Sequence, residues 1–148
     1  MYKFPKIHKE GAPLRPILAM INSAHHELAK QLSVVLSPVL ETFSIHASKD
    51  SFTFTNQLKQ LDLSAHPNLK MCSFDVTSLF TNVPLEETIE ICVDNLFHSD
   101  MAAPYMSEEA FRELMLAATR GVEFSFNDIM YKQIVGVAMG SPLGPVLE

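Results

Sequence analysis

The sequence predicts an α+β fold, because strand-like patterns at both ends of the chain flank a run of helical patterns. The stretches "YKFPKIHKEGAPLRPILAM" and "VEFSFNDIMYKQIVG" each contain two short extended segments separated by turn-forming residues. Between them, apolar residues recur at helical spacing. The chain has 148 residues, 47% of them hydrophobic and 19% charged, which is typical of one globular domain that buries a core.

The N-terminal segment predicts a loose β-hairpin that turns at Glu10-Gly11-Ala12. A helix is expected next, from about Ser23 to Leu36, with either Asn22 or Ser23 as its N-cap. Pro38 is expected to interrupt its apolar repeat, since proline removes a helical hydrogen bond.

Residues 50–61 favour a short helix capped by Asp50 or Ser51, although the alternation of phenylalanines there also fits a strand. The apolar run from Leu69 to Val76 predicts a buried strand. This strand contains Cys72, and we expect its side chain to be a buried free thiol, like that of Cys92.

Two further helices are predicted before the C-terminal hairpin. The first follows Pro84, which the first turn of a helix tolerates, and the second begins after Ser107 and ends at Gly121. Asn127-Asp128 then predicts a two-residue turn, because both residues tolerate left-handed backbone conformations. The apolar stripes of the two helices are Leu85, Ile89, Cys92, Val93 and Leu96, and Phe111, Leu114, Met115 and Ala118.

Charge is distributed unevenly along the chain. The formal net charge is −6, yet residues 1–20 have a balance of +3 and residues 50–148 a balance of −9. A basic N-terminal segment on an acidic body permits local phosphate contact without general affinity for polyanions, and an ordinary solvated surface stays an open alternative. No membrane-spanning run and no signal peptide are expected.

Asp75 is the one acid in the stretch "MCSFDVTSLFTN", and it lies near the end of the predicted strand. An ionised carboxylate is costly to bury without a partner, so Asp75 either has one or lies at the exit of the strand. There it can hold a magnesium ion beside a substrate phosphate, or it can cap the turn at Thr77 and Ser78.

Three blocks occur in order along the chain: "PKIHK" with "PLRPI", then "SFDVTSLFTNVP", then "YKQIVGVAMGSPLGP". Together they resemble the reverse transcriptases of Penelope-like retroelements, and the second block looks like the first catalytic motif of that family. The resemblance implies a partial right-hand polymerase, with residues 1–66 mainly in the fingers and residues 67–148 in an incomplete palm that contains an antiparallel sheet. The implied activity is RNA-directed DNA polymerisation, in which a primer 3′-hydroxyl attacks the α-phosphorus of a deoxynucleotide.

The resemblance also implies roles for individual residues in the first motif. Asp75 would be the catalytic metal ligand for Mg²⁺ or Mn²⁺, with the Val76 carbonyl as a second oxygen. Phe80 would lie under the incoming sugar and exclude a 2′-hydroxyl. A plain core aromatic is the alternative for Phe80.

Substrate contacts are implied on both sides of this motif. Arg15 would grip the triphosphate of the incoming deoxynucleotide, since its planar fork matches phosphate oxygens, and Lys6 and Lys9 would assist. The alternative for both lysines is an exposed hairpin with no specific contact. Met139 would pack near the nascent base pair, and Gly140 would let the backbone approach it closely.

The sequence contains no Asp-Asp pair, whereas the family supplies further metal-binding carboxylates from such a motif. We therefore expect a chain truncated before that motif and inactive by itself. The implied partners are an RNA or DNA template-primer and deoxynucleoside triphosphates, and the implied location is the nucleus. The alternatives are a catalytically inactive remnant that binds nucleic acid or protein, and a remnant without function.

Overall fold

Four strands and six helices occur in the residues that the computed structural model describes, which are 1–7, 9–43, 47–62, 64, 68–99 and 104–147. They follow the order β1-β2-α1-α2-α3-α4-α5-β3-β4-α6 and form a mixed α+β fold with two small antiparallel sheets. The predicted fold class is thus confirmed at this level. The boundary expected between residues 66 and 67 lies outside the described residues.

Both predicted hairpins are present. Strands β1 (Tyr2–Pro5) and β2 (Leu14–Ile17) pair antiparallel, and the turn between them contains Gly11 at φ +74°. Strands β3 (Glu123–Phe126) and β4 (Ile129–Lys132) pair in the same way. Their two turn residues, Asn127 and Asp128, have φ of +51° and +59°, the left-handed conformations that a tight hairpin turn requires.

Helix α1 (Ala24–Phe43) begins where expected but runs past the proline. Ser23 is its cap, and its hydroxyl oxygen accepts a hydrogen bond from the His26 amide at 3.1 Å. The expected end at Leu36 is wrong, because Pro38 lies inside the helix. Val39, one residue later, is buried in the core, so packing of the last turns outweighs the hydrogen bond that proline removes.

Helix α2 (Ser51–Gln60) confirms the helical interpretation of this segment. Asp50 caps it by accepting a hydrogen bond from the Thr53 amide at 2.8 Å. That bond lowers the pKa of the Asp50 carboxyl, because it favours the ionised form. The helix contains no buried residue, so it contributes little to the core.

The core lies among α1, α4 (Leu85–Phe97) and α5 (Glu108–Thr119), which pack against one another, and the short α6 (Gly144–Leu147) packs on α1 and α4. The rings of Phe97 and Phe111 meet edge to face with centroids 5.8 Å apart. Both predicted stripes face this core. Its buried members include Ala29, Leu32, Leu36, Val39, Ile89, Cys92, Val93, Leu96, Phe111, Met115, Ala118, Val137 and Leu143.

The predicted buried strand from Leu69 to Val76 is wrong. These residues form neither a helix nor a strand, and all of them are exposed. A strand needs a hydrogen-bonded neighbour, and none of the described residues supplies one. Cys72 is accordingly exposed, which corrects its expected burial, whereas Cys92 is buried.

Two short helices were not predicted, α3 (Leu79–Asn82) and α6. Each has only four residues, which is too short for a periodic apolar pattern to appear in the sequence. Over the described residues, no helix has both the length and the apolar character needed to cross a membrane.

Candidate functional site

A large cavity lies between the N-terminal hairpin, the segment that carries Asp75, and the chain from β4 to the glycine-rich loop, which begins at Gly136 and ends at α6. We call it the main cavity; its volume is about 1060 Å³. Every predicted site residue contributes to its lining. These residues come from three distant parts of the sequence and are Lys6, Lys9, Arg15, Asp75, Val76, Phe80, Met139 and Gly140.

The N-terminal hairpin is fixed to the glycine-rich loop by main-chain contacts. The amide of Leu18 donates a hydrogen bond to the Met139 carbonyl at 2.9 Å. Gly140 has φ +114°, and a Cβ there would overlap the Leu18 carbonyl oxygen. The close approach that Gly140 permits is therefore to the protein's own backbone, which holds the hairpin against the loop. A small apolar cluster of Leu18, Met20, Val122 and Ala138 supports this contact.

The Phe80 region is attached to the same loop. The Val137 amide donates to the Phe80 carbonyl oxygen at 2.7 Å, and a Cβ at Gly136 would overlap that oxygen. The Phe80 ring is half-buried and lies over Gly144, where a Cβ would be 2.9 Å from its Cε1 atom. Two glycines thus let the loop pack tightly on the chain that follows Asp75.

The turn after Asp75 is stabilised without help from its carboxylate. Asn82 donates from Nδ2 to the Thr77 carbonyl at 2.8 Å, and Thr81 donates from Oγ1 to the Ser78 carbonyl at 2.9 Å. Ser78 has φ +53° and precedes α3 with no side-chain cap. The alternative that Asp75 caps this turn is therefore wrong.

The Asp75 carboxylate is exposed and lines the main cavity. Within the part of the chain that the structure describes, it takes part in no hydrogen bond and no ion pair. It is therefore available to a solute that enters the cavity. Val76, the next residue, is 60% exposed and lines the same space.

The three cations of the N-terminal hairpin face the same space. Arg15 and Lys9 are exposed and Lys6 is half-buried, and none of them forms an ion pair with an acid of the described chain. Main-chain bonds order the turn, with the Lys6 amide bonded to the Pro13 carbonyl at 2.9 Å and the Lys9 amide to the Lys6 carbonyl at 3.0 Å. These cations are held near the cavity without charge neutralisation.

The main cavity is positive although the chain is acidic. The described residues of its lining provide four basic side chains and one acidic side chain, within a protein of formal net charge −6. Apolar residues such as Ile17, Phe80 and Val137 line the rest of the wall. A concave site with apolar walls and clustered cations suits a ligand that carries both phosphate and an aromatic base.

The residues present do not form a two-metal centre. Among the described residues, Asp75 is the only carboxylate of the lining, and no group of three histidine, cysteine or acidic residues converges. Asp75 and the Val76 carbonyl could contribute oxygen ligands to a Mg²⁺ ion that arrives bound to a substrate phosphate. They do not supply the oxygens that a metal pair needs.

The polar residues of the lining that the sequence prediction missed include Lys132 and Gln133. Both lie inside the third sequence block, immediately after Tyr131, so the block itself was the available signal. The Gln133 side chain donates from Nε2 to the Val135 carbonyl at 3.0 Å and orders the turn that leaves β4.

Comparisons of the chain with protein-family models, with curated proteins and with solved structures find no match. The function is therefore inferred from the geometry of the main cavity and from the three motif blocks that meet there.

Proposed function

We propose that this chain forms the nucleotide- and primer-binding part of an RNA-directed DNA polymerase of the Penelope-like kind, with a fingers hairpin and the first part of a palm. One observation carries the proposal. Residues of three motif blocks line a single positive cavity, although more than half of the sequence separates the first block from the last. The proposed partners are deoxynucleoside triphosphates and an RNA or DNA template-primer, and the proposed location is the nucleus.

The charged residues of the cavity can divide the work of binding a nucleotide. Arg15, Lys6 and Lys9 would neutralise the triphosphate, and arginine adds paired, charge-assisted hydrogen bonds. Asp75 would not bind a bare phosphate, because the two negative charges repel each other. It would contribute only where a divalent cation lies between it and the phosphate oxygens.

The aromatic ring of Phe80 would select the sugar in this proposal. The ring lies over Gly144, and the loop that begins at Gly136 fixes the main chain of Phe80. A ring fixed in this way can exclude a 2′-hydroxyl by contact alone. Phe80→Ala is expected to weaken discrimination between deoxynucleotides and ribonucleotides while leaving binding of deoxynucleotides nearly unchanged.

The single carboxylate of the cavity favours binding over turnover by this chain alone. We therefore infer that the isolated chain binds nucleotide and primer without extending the primer. This is also the observation that favours the second candidate, a catalytically inactive module that binds nucleic acid. Primer extension by the purified chain with Mg²⁺ and deoxynucleotides would refute this inference.

The test measures binding of a fluorescent deoxynucleoside triphosphate by anisotropy, in Mg²⁺ and in EDTA. Arg15→Gln is expected to weaken binding about tenfold or more in both conditions, since a hydrogen bond to a charged group contributes roughly 1.5–3 kcal/mol. Lys30→Gln is the matched control, because Lys30 is an exposed cation on α1 outside the cavity lining.

Asp75→Asn gives the sharper result, because its effect on nucleotide affinity should have opposite signs in Mg²⁺ and in EDTA. In Mg²⁺ the variant loses an oxygen ligand and should bind the nucleotide more weakly. In EDTA it loses a repulsive charge and should bind more tightly. If the wild-type chain binds no nucleotide, or if Asp75→Asn acts in the same direction in both conditions, the proposed function is wrong.

A further inference from the structure

A second cavity adjoins the main one and shares part of its wall. The adjacent cavity has a volume of about 650 Å³, and the segment 132–135 lines both cavities. Together they exceed the roughly 300–1,000 Å³ of a typical small-molecule site. Of the basic side chains that the structure describes, Lys132 is the one that lines both.

The side chain of Lys132 is directed by a glycine. A Cβ at Gly121 would lie 2.9 Å from Cε and 3.3 Å from Nζ of Lys132, so the lysine stem runs closely over this residue. Gly121 has φ +67°, a conformation that itself favours glycine. Gly121, which follows α5, therefore provides both the bend of the chain and the space that the lysine side chain occupies.

The ammonium group of Lys132 is not neutralised by its cross-strand neighbour. Glu123 is directly opposite Lys132 in the β3–β4 register, which is a favourable position for an ion pair. No ion pair joins them, and no other acid of the described residues pairs with Lys132. The charge lies instead between the two cavities.

The adjacent cavity contains one further cation. Arg120 lines it and pairs with Glu86 across the ends of α5 and α4. Its charge is thus partly compensated, unlike that of Lys132. Arg15 thus lines the main cavity, Arg120 lines the adjacent cavity, and Lys132 lines both.

We propose that Lys132 binds a backbone phosphate of a nucleic-acid strand that runs from the main cavity into the adjacent cavity. The inference rests on the proposed function and adds a strand-binding residue to it. A triphosphate held by Arg15 would be confined to the main cavity, whereas a strand carries a phosphate at every nucleotide and can reach the second cavity. Lys132 would thus act on the strand and not on the nucleotide.

The experiment compares two probes on the same variants. The first is a fluorescein-labelled RNA–DNA hybrid duplex, titrated at several salt concentrations, and the second is the fluorescent deoxynucleoside triphosphate. Lys132→Gln is expected to weaken hybrid binding several-fold and to reduce the slope of log K against log salt by about one, the loss of one phosphate contact. Nucleotide affinity should change less than about twofold.

Two further variants complete the design. Lys132→Arg keeps the charge, so its salt slope should equal that of the wild type. Lys30→Gln removes one charge outside both cavities and should change neither probe's affinity. An unchanged slope for Lys132→Gln overturns the inference, and so does an equal loss of nucleotide affinity, which would place Lys132 at the triphosphate. In both cases intact nucleotide binding by the wild type would leave the proposed function standing.

Discussion

Replacement of Gly136 by alanine tests whether the glycine-rich loop holds the chain that follows Asp75. Gly11 offers a matched control, because the two glycines have nearly the same φ, +71° and +74°. An alanine costs the same backbone strain at both sites, about 1–2 kcal/mol. They differ in their surroundings, since no atom lies within 4 Å of a Cβ at Gly11.

The additional cost at Gly136 follows from the contacts of the new methyl group. It would overlap the Phe80 carbonyl oxygen and lie 2.7 Å from the Cα and carbonyl carbon of Thr81. All three atoms belong to the backbone and cannot move without shifting α3. Overpacking of this kind costs about 1–3 kcal/mol, so Gly136→Ala should destabilise the protein by about 2–5 kcal/mol and Gly11→Ala by about 1–2 kcal/mol.

Thermal unfolding measures the difference between these variants. At about 3 °C per kcal/mol for a chain of this size, Gly136→Ala should melt about 3–9 °C below Gly11→Ala. Circular dichroism at a helical wavelength reports the transition, since the core is formed by helices. Equal melting temperatures for the two variants would refute the reasoning, because the Gly136 contacts would then contribute nothing.

Three other predictions concern the helical part of the fold. Burial raises the pKa of the Cys92 thiol to about 11, so at pH 8 only about one thiol in a thousand is ionised. A thiol reagent should modify exposed Cys72 rapidly and Cys92 only on unfolding, and equal modification rates for the two thiols would contradict the packing of α4. Pro38→Ala should restore a helical hydrogen bond and raise the melting temperature by a few degrees, and a lower melting temperature would contradict this interpretation. Arg112, bonded to Glu90 through two nitrogens at 2.8 Å, holds the pKa of that carboxyl below its usual value, so the stabilisation is complete at neutral pH and is lost as the pH falls through the lowered pKa. Glu90→Gln should therefore lose less unfolding free energy on acidification, as measured by urea unfolding. An unchanged loss of unfolding free energy would count against the ion pair.

The local elements could be predicted because their causes are local. The two hairpins follow from turn residues that accept positive φ. Helix α2 is capped by Asp50, one of its two expected caps, and α5 begins after Ser107 as expected. In these segments the structure depends on neighbours only a few residues away. Sequence reasoning therefore located them well.

The errors involve contacts between distant parts of the chain. The apolar composition of residues 69–76 is typical of a strand, but a strand also requires a partner that the described chain does not provide. Helix α1 continues past Pro38 because Val39 is buried in the core, and the local pattern does not show that this packing outweighs the effect of the proline.

The candidate site likewise contains residues that the sequence predicted and others, among them Lys132, that it did not. Residue types in the three motif blocks predicted the candidate site residues, and the structure brings these residues to one cavity. Lys132 was missed because its importance depends on two relations in the folded chain. Its stem runs over Gly121, eleven positions earlier, and it forms no ion pair with Glu123, its cross-strand neighbour. Neither relation can be recognised before the hairpin is folded.

Chemical-shift mapping tests the central claim most directly, because it reports where a ligand binds without assuming any activity. Backbone amides of the 16.5 kDa chain are followed by NMR as a magnesium-loaded deoxynucleoside triphosphate is added. The largest shifts should fall at the hairpin around Arg15, at residues 75–81 and at the loop around Gly140, with none in α2. Shifts that concentrate elsewhere, or no shifts at saturating nucleotide, would contradict the assignment of the main cavity as a nucleotide site.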